Sequence, residues 1–189
     1  MARKIGAAPA SANDSYAFSE NSGVNTTLHV RVNDGKSSTR PIHSLDNGQP
    51  ADLDAGDPVS NAASTTDRSA LGAAIWINAN GTVGYSTAPI AALVEALAPS
   101  QSLQDSFIYT TVQANGSLLW STVRITITGT NDAPIARVDN AVASEDSLIT
   151  GSVAANDTDV DNGAVLSFAA TSSAPGFTMG SNGRWTLDT

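Results

Sequence analysis

Three aspartates, Asp157, Asp159 and Asp161, alternate within five residues and run directly into Asn162-Gly163. Calcium gathers six to eight oxygens from carboxylates, amides and backbone carbonyls, so residues of this kind are its natural ligands. In an extended strand, alternate side chains share a face but stand about 7 Å apart, too far for one ion. A looped backbone turns them towards one point, and three carboxylates held together without a cation repel each other. Asp and Asn also make turns and cap loops unaided, which is the competing reading of the same run. Magnesium suits the pattern less, because it dehydrates reluctantly and takes few protein ligands.

Other chemistries find less support. The chain has no cysteine, which excludes disulfides, thiol catalysis and Cys-based zinc sites. Its two histidines, His29 and His43, stand in no metal-binding motif such as H-E-x-x-H. A paired-carboxylate glycosidase stays open on spacing alone. However, the acidic residues lie in turn-like contexts and 189 residues are few for a cleft, so a non-enzymatic protein is expected.

Nine Lys and Arg face eighteen Asp and Glu, a formal charge of −9. Phosphate neutralisation needs a basic face, so nucleic acid is not an expected partner. Acidic excess fits solubility and binding of hard cations. No apolar run reaches membrane-spanning length, and residues 1–12 read as a flexible segment lacking the apolar stretch of a signal peptide. Export would then proceed without a visible N-terminal signal, or the chain is part of something longer.

The elements that must position these residues are strands. Leu28–Val32 alternates; Ile75-Trp76-Ile77 and Thr82–Tyr85 flank Asn80-Gly81 as a hairpin; Phe107–Tyr109 and Val123–Thr128 flank Asn115-Gly116. Ile90–Leu97, stopped by Pro99, is the one helical candidate, a short turn crossing between sheets. Many short strands at regular spacing predict an all-β fold, a β-sandwich. If Ile75, Ile77, Val83 and Tyr85 point inward, Trp76 points outward beside Gly84; if Val123, Ile125 and Ile127 point inward, Trp120 and Arg124 point outward. Such residues could stack on a sugar ring and pair with a uronate, or be covered by neighbouring chain. Trp185, at the position of Val83, reads as core.

The chain repeats itself. Ala74–Val83 aligns with Gly176–Trp185, an offset of 177 − 75 = 102, and Asn33-Asp34 aligns with Asn156-Asp157, an offset of 123. Asn13–Glu20 aligns with Val138–Glu145 at 145 − 20 = 125. Unit one therefore spans residues 13–133, with an insertion within residues 35–70. Unit two spans 134–189 and has no counterpart of Phe107–Thr128, so its last two strands are expected to be absent and to leave an open edge.

Thr128–Pro134, preceded by Val123–Ile127, resembles the junction of VCBS and bacterial cadherin-like repeats, as do Ser144-Glu145-Asp146 and Ala155–Gly163. Asp105–Thr110 resembles the penultimate strand. Unit one, with Val32–Lys36 leading to Ser44–Gly48, is similar to small secreted autoaggregation and adhering proteins. The resemblance implies a Greek-key sandwich with Ca2+ at loops near domain junctions, where Asn131, Asp132, Glu145, Asp146 and Asp34 would join Asp157, Asp159 and Asp161 as metal ligands. Unit one departs from the pattern in lacking Asp-x-Asp-x-Asp after Asn33-Asp34, and a solvated loop is the favoured reading of Asp34, Asp46, Asp52, Asp54 and Asp57. It further implies type I secretion to the extracellular space or cell surface, and calcium-dependent binding of acidic extracellular polysaccharide in a biofilm matrix. The partners would be that polysaccharide or a cell surface, together with neighbouring repeats of the same chain. A passive spacer repeat in a large adhesin and a polysaccharide-processing domain are the alternatives.

Overall fold

The computed structural model describes residues 12–35, 40–46, 67–112, 114–116, 118–142, 144, 146–171 and 174–188. Residues 1–11, most of the insertion including Asp52, Asp54 and Asp57, and Glu145 lie outside these. The chain divides into two compact units, Met1–Thr130 and Asn131–Thr189.

The described residues of the first unit form eight strands: β1 (Asp14–Ser19), β2 (Asn25–Leu28), β3 (Ile42–Asp46), β4 (Asp67–Arg68), β5 (Ala74–Ile77), β6 (Val83–Ser86), β7 (Ser102–Val112) and β8 (Leu118–Thr128). They form two four-stranded sheets, ordered β1-β8-β7-β3 and β2-β6-β5-β4. Period-2 alternation decides the inner faces. Leu28, Ile75, Val83 and Tyr85 of one sheet bury against Phe107, Tyr109, Val123, Ile125 and Ile127 of the other in a single cluster. Each such side chain contributes about 1.5–3 kcal/mol by leaving water. The unit is thus an all-β sandwich, with both hairpins antiparallel as the turn residues require.

The helical expectation shrinks to a 3-10 turn at Ala88–Ile90 followed by a single turn, α1 (Ala91–Val94). No side chain caps it, and its buried residues Ile90, Val94 and Leu97 attach it to the core instead. A helix this short is held by packing, not by propensity.

Two arrangements position the residues considered below. β1 runs parallel to β8, with Asp14 opposite Val123 and Ser19 opposite Thr128, so Glu20 arrives beside Thr130. Asp105 on β7 ties elements across the core. Its Oδ2 accepts from Ser69 Oγ at 2.5 Å and Tyr85 Oη at 2.8 Å, and its Oδ1 accepts from the backbone N–H of Leu71 and of Ser106. Burial, with the Asp105 carboxylate behind it, pushes the Tyr85 phenol well above its ordinary pKa, so it stays a donor.

The second unit contains β9 (Leu148–Ser152), β10 (Phe177–Met179) and β11 (Arg184–Asp188) in one sheet, ordered β10-β11-β9. By the repeat offsets these match β2, β5 and β6, and the hydrogen bonds agree. Asn33 Nδ2 donates to Asn13 O in unit one, and Asn156 Nδ2 donates to Val138 O in unit two. Trp185 pairs with Gly151 where Val83 pairs with Leu28, a cross-strand exchange of sizes that keeps the pair filled. Its ring lies over Gly151 and stacks on Phe177 with centroids 6.0 Å apart. Trp185 is nevertheless half-exposed, a departure from the core expectation, and the described strands of this unit form one sheet with no second sheet to pack against it.

Candidate functional site

In unit two, the segment after Asn131 runs antiparallel beside Asp157–Asp161. Ile135 and Thr158 exchange backbone hydrogen bonds, Arg137 N–H donates to Asp157 Oδ1 at 2.6 Å, and Asp132 N–H donates to Asp161 Oδ2 at 3.1 Å. Asp161 N–H donates in turn to Asp159 Oδ1 at 2.9 Å. Asp132, Asp159 and Asp161 are therefore linked through backbone donors, and Asn162-Gly163 closes the turn with Gly163 at φ +79°. Asp157 takes its own donor further along the ladder. Among the described residues, no three acidic or histidine side chains converge as a metal-holding group. The alternating aspartates thus keep separate backbone partners, since each sits on a loop that spends one carboxylate oxygen on an N–H. Asn131 is exposed, its amide donating to Asp132 O at 2.6 Å, and Asp146 is exposed with φ +59°.

The donor chemistry nevertheless suits a hard cation. Asp161 is 7% exposed, and its Oδ1 is buried with no hydrogen-bond partner. Asn156 Oδ1 is in the same condition. An ionised oxygen removed from water without a donor costs several kcal/mol, and a bound cation is what offsets it.

In unit one, little in the sequence singles out Glu20 beyond its alignment with Glu145. It is 8% exposed; Oε1 accepts from Thr130 N–H at 2.5 Å and Thr130 Oγ1 at 2.6 Å, while Oε2 is buried without a partner. Ser19 caps the short turn that starts at Glu20 and fixes this geometry. Elsewhere in the unit, Asp34 meets Asp14. Tyr109 Oη lies 2.5 Å from Val30 O, 2.7 Å from Asp34 Oδ2 and 3.3 Å from Asp14 Oδ2, and has one proton for all three. Asp34 Oδ1 is buried without a partner. Burial pushes the Asp14 carboxyl up to about 6, and the Asp34 charge adds to the rise, against the pull of the Tyr109 and Asn33 hydrogen bonds.

The residues expected to face a sugar divide between the two sheets. Trp76 on β5 points outward as expected, its ring lying over Gly84 and its Nε1 donating to Asn78 Oδ1 at 2.9 Å. Trp120 and Arg124 sit on β8 in the other sheet, Trp120 half-buried and Arg124 exposed. The outer face near Trp120 is a covered one, since Ile108 and Thr110 there are buried too. No single surface gathers all three residues.

Residues 131–189 match the family model described as a bacterial Ig domain, a stretch that coincides with unit two. Among solved structures, the chain is similar to one described as "Structure of mouse clustered PcdhgC3 EC1-3", at 15% identity and a TM-score of 0.35, over 93% of this chain and 54% of that one. The chain thus spans about half the length of that structure. No curated protein matches it. Among the described residues no helix is long and apolar enough to cross a membrane.

Proposed function

We propose that this chain is a calcium-binding adhesion module of a secreted bacterial surface or biofilm-matrix protein, exported by type I secretion. The observation behind this reading is the set of buried acceptor oxygens without donors, foremost Asp161 Oδ1, with Glu20 Oε2 and Asn156 Oδ1 beside it in kind. All are oxygens, and a hard cation supplies what they lack. Asp161 and Asp159 would hold the ion in unit two, with backbone carbonyls and water completing its shell. Bound calcium would supply charge and rigidity to the loop around Asp132 and Asp161, stiffening the framework with no catalytic step. The match of residues 131–189 to a bacterial Ig domain supports a structural or adhesive role for that unit.

Calorimetric titration of the chelated protein with calcium chloride tests the proposal. Saturable binding is expected; magnesium is expected to bind more weakly. Absence of calcium binding at millimolar concentration would contradict it. In its fuller form the module also binds acidic exopolysaccharide, and the outward, half-exposed Trp76 of unit one supports that part. Trp76→Ala should weaken retention on an anionic polysaccharide column while leaving calcium binding intact.

A further inference from the structure

The two units contain the same hairpin turn, and they differ in what lies against it. In unit one, Asn78 N–H donates to Thr82 O, Gly81 N–H to Asn78 O, and Thr82 N–H to Asn80 Oδ1. In unit two, 102 residues on, Gly180 donates to Arg184 O, Gly183 to Gly180 O, and Arg184 N–H to Asn182 Oδ1. The carbonyl at the turn's glycine then takes different donors. Gly183 O accepts the backbone N–H of Val153, and a Cβ at Gly183 would meet Ala154 and Phe168 at 3.0 and 3.1 Å. Gly81 O accepts Nε of Arg31 at 3.0 Å, and a Cβ there would lie 2.1 Å from Arg31 Nη2. Unit two thus closes this turn with neutral, apolar neighbours, so the turn itself has no need of a guanidinium.

Arg31 is half-buried, and its Nη1 donates to Arg40 O at 2.5 Å. Both of its protein partners are neutral carbonyls, which satisfy N–H groups without neutralising the charge. A guanidinium has five N–H donors in a rigid fork, and the remainder here have no partner among the described residues. They border a hollow of about 330 Å³ lined by His29, Arg31, Val32, Asn80, Gly81 and Thr82. Asn80 Oδ1 already accepts from Thr82 N–H and Oγ1, which turns the Asn80 amide donors away from the turn. The hollow is therefore rich in donors, and among the described residues Arg31 has no anionic partner, in a chain whose net charge is −9. It is large enough for a sugar ring.

We propose that this hollow is a binding site for the carboxylate of an acidic sugar, a uronate unit of a polysaccharide. Arg31 pairs with the planar carboxylate through two parallel N–H groups. Asn80 and His29 reach the ring hydroxyls, and Val32, exposed at the lip, lies against the ring's C–H face. This rests on the reading of unit one as a polysaccharide-binding module and gives that reading a subsite separate from any cation.

The test is an NMR titration of the whole chain with a short sodium oligogalacturonate, with neutral methyl glucoside and sodium phosphate as comparators, in calcium and in EDTA. Shifts centred on residues 29–32 and 78–82 are expected with the uronate in both buffers, weakened at least tenfold in Arg31→Gln. Because Arg31 also braces the turn, Asn80→Asp serves as the second variant: it keeps the acceptor the turn needs but sets a negative charge at the rim, and should weaken binding to the same degree. Uronate shifts that persist in both variants, equal binding of the neutral glycoside, stronger binding of phosphate, or no shifts at these residues would overturn the proposal. Calcium binding alone reports on the cation reading, so the two fail separately.

Discussion

Asp161 and Asp14 are both buried acids, and their surroundings treat the charge differently. Asp161 has a backbone donor on one oxygen and none on the other, which leaves a buried acceptor open to a cation. Asp157, by contrast, spends Oδ1 on Arg137 N–H at a different rung of the ladder. Asp161→Asn is therefore expected to weaken calcium at least tenfold in a calorimetric titration, and Asp157→Asn to leave most of the affinity. Asp14 meets Asp34 across a single tyrosine proton, and its raised pKa means that the folded state holds a proton the unfolded chain releases. Between its ordinary value of 3.8 and about 6, the native state binds more protons, so this group lowers stability as pH rises and is neutral below that window. Asp14→Asn should remove the slope and be more stable than the parent above pH 6, by on the order of 2 kcal/mol, with no gain at pH 3.5. Urea unfolding of both proteins across this range, in EDTA, measures it.

Among elements, the hairpin of β5 and β6 was legible because period-2 alternation and Asn80-Gly81 are both local signals. The repeat is legible from the aligned residues themselves, and Asn33 and Asn156 each donate their side-chain amide to the backbone carbonyl of the aligned residues Asn13 and Val138. The parallel pairing of β1 with β8 was not, since it joins strands about a hundred residues apart and leaves no local pattern. The same holds for Glu20, because that pairing is what brings it to Thr130. Trp185 departs from its core expectation because its alignment with Val83 carries no information about the layer that would oppose it. The Asp105 network joins β6, β7 and the Ser69–Leu71 turn, and its four acceptor bonds leave no slack. Asp105→Ala should cost about 3–5 kcal/mol in unfolding free energy, because it strands several buried donors at once. On the outer face, Gly84→Ala places a methyl group where the Trp76 ring lies, 2.0 Å from its nearest atom. The ring must lift off, costing about 1–3 kcal/mol and shifting tryptophan emission to the red.

For the whole molecule, the two units differ in how their sheets are covered. Unit one seals two sheets around one apolar cluster, whereas the described strands of unit two form a single sheet with Phe177, Met179, Trp185 and Leu187 each only partly buried. A layer with one open face gains less from apolar burial, so bound cation would account for a larger share of its stability. Unfolding is therefore expected in two stages, with the weaker stage belonging to unit two and responding more strongly to calcium. Differential scanning calorimetry of the full chain, in millimolar calcium and in EDTA, measures this most directly. The expected result is a lower-temperature transition that falls by several degrees in EDTA and does so no longer in Asp161→Asn. Identical traces in the two buffers would mean that the donorless oxygens of Asp161 and Glu20 hold no cation, and the proposed calcium role would fall.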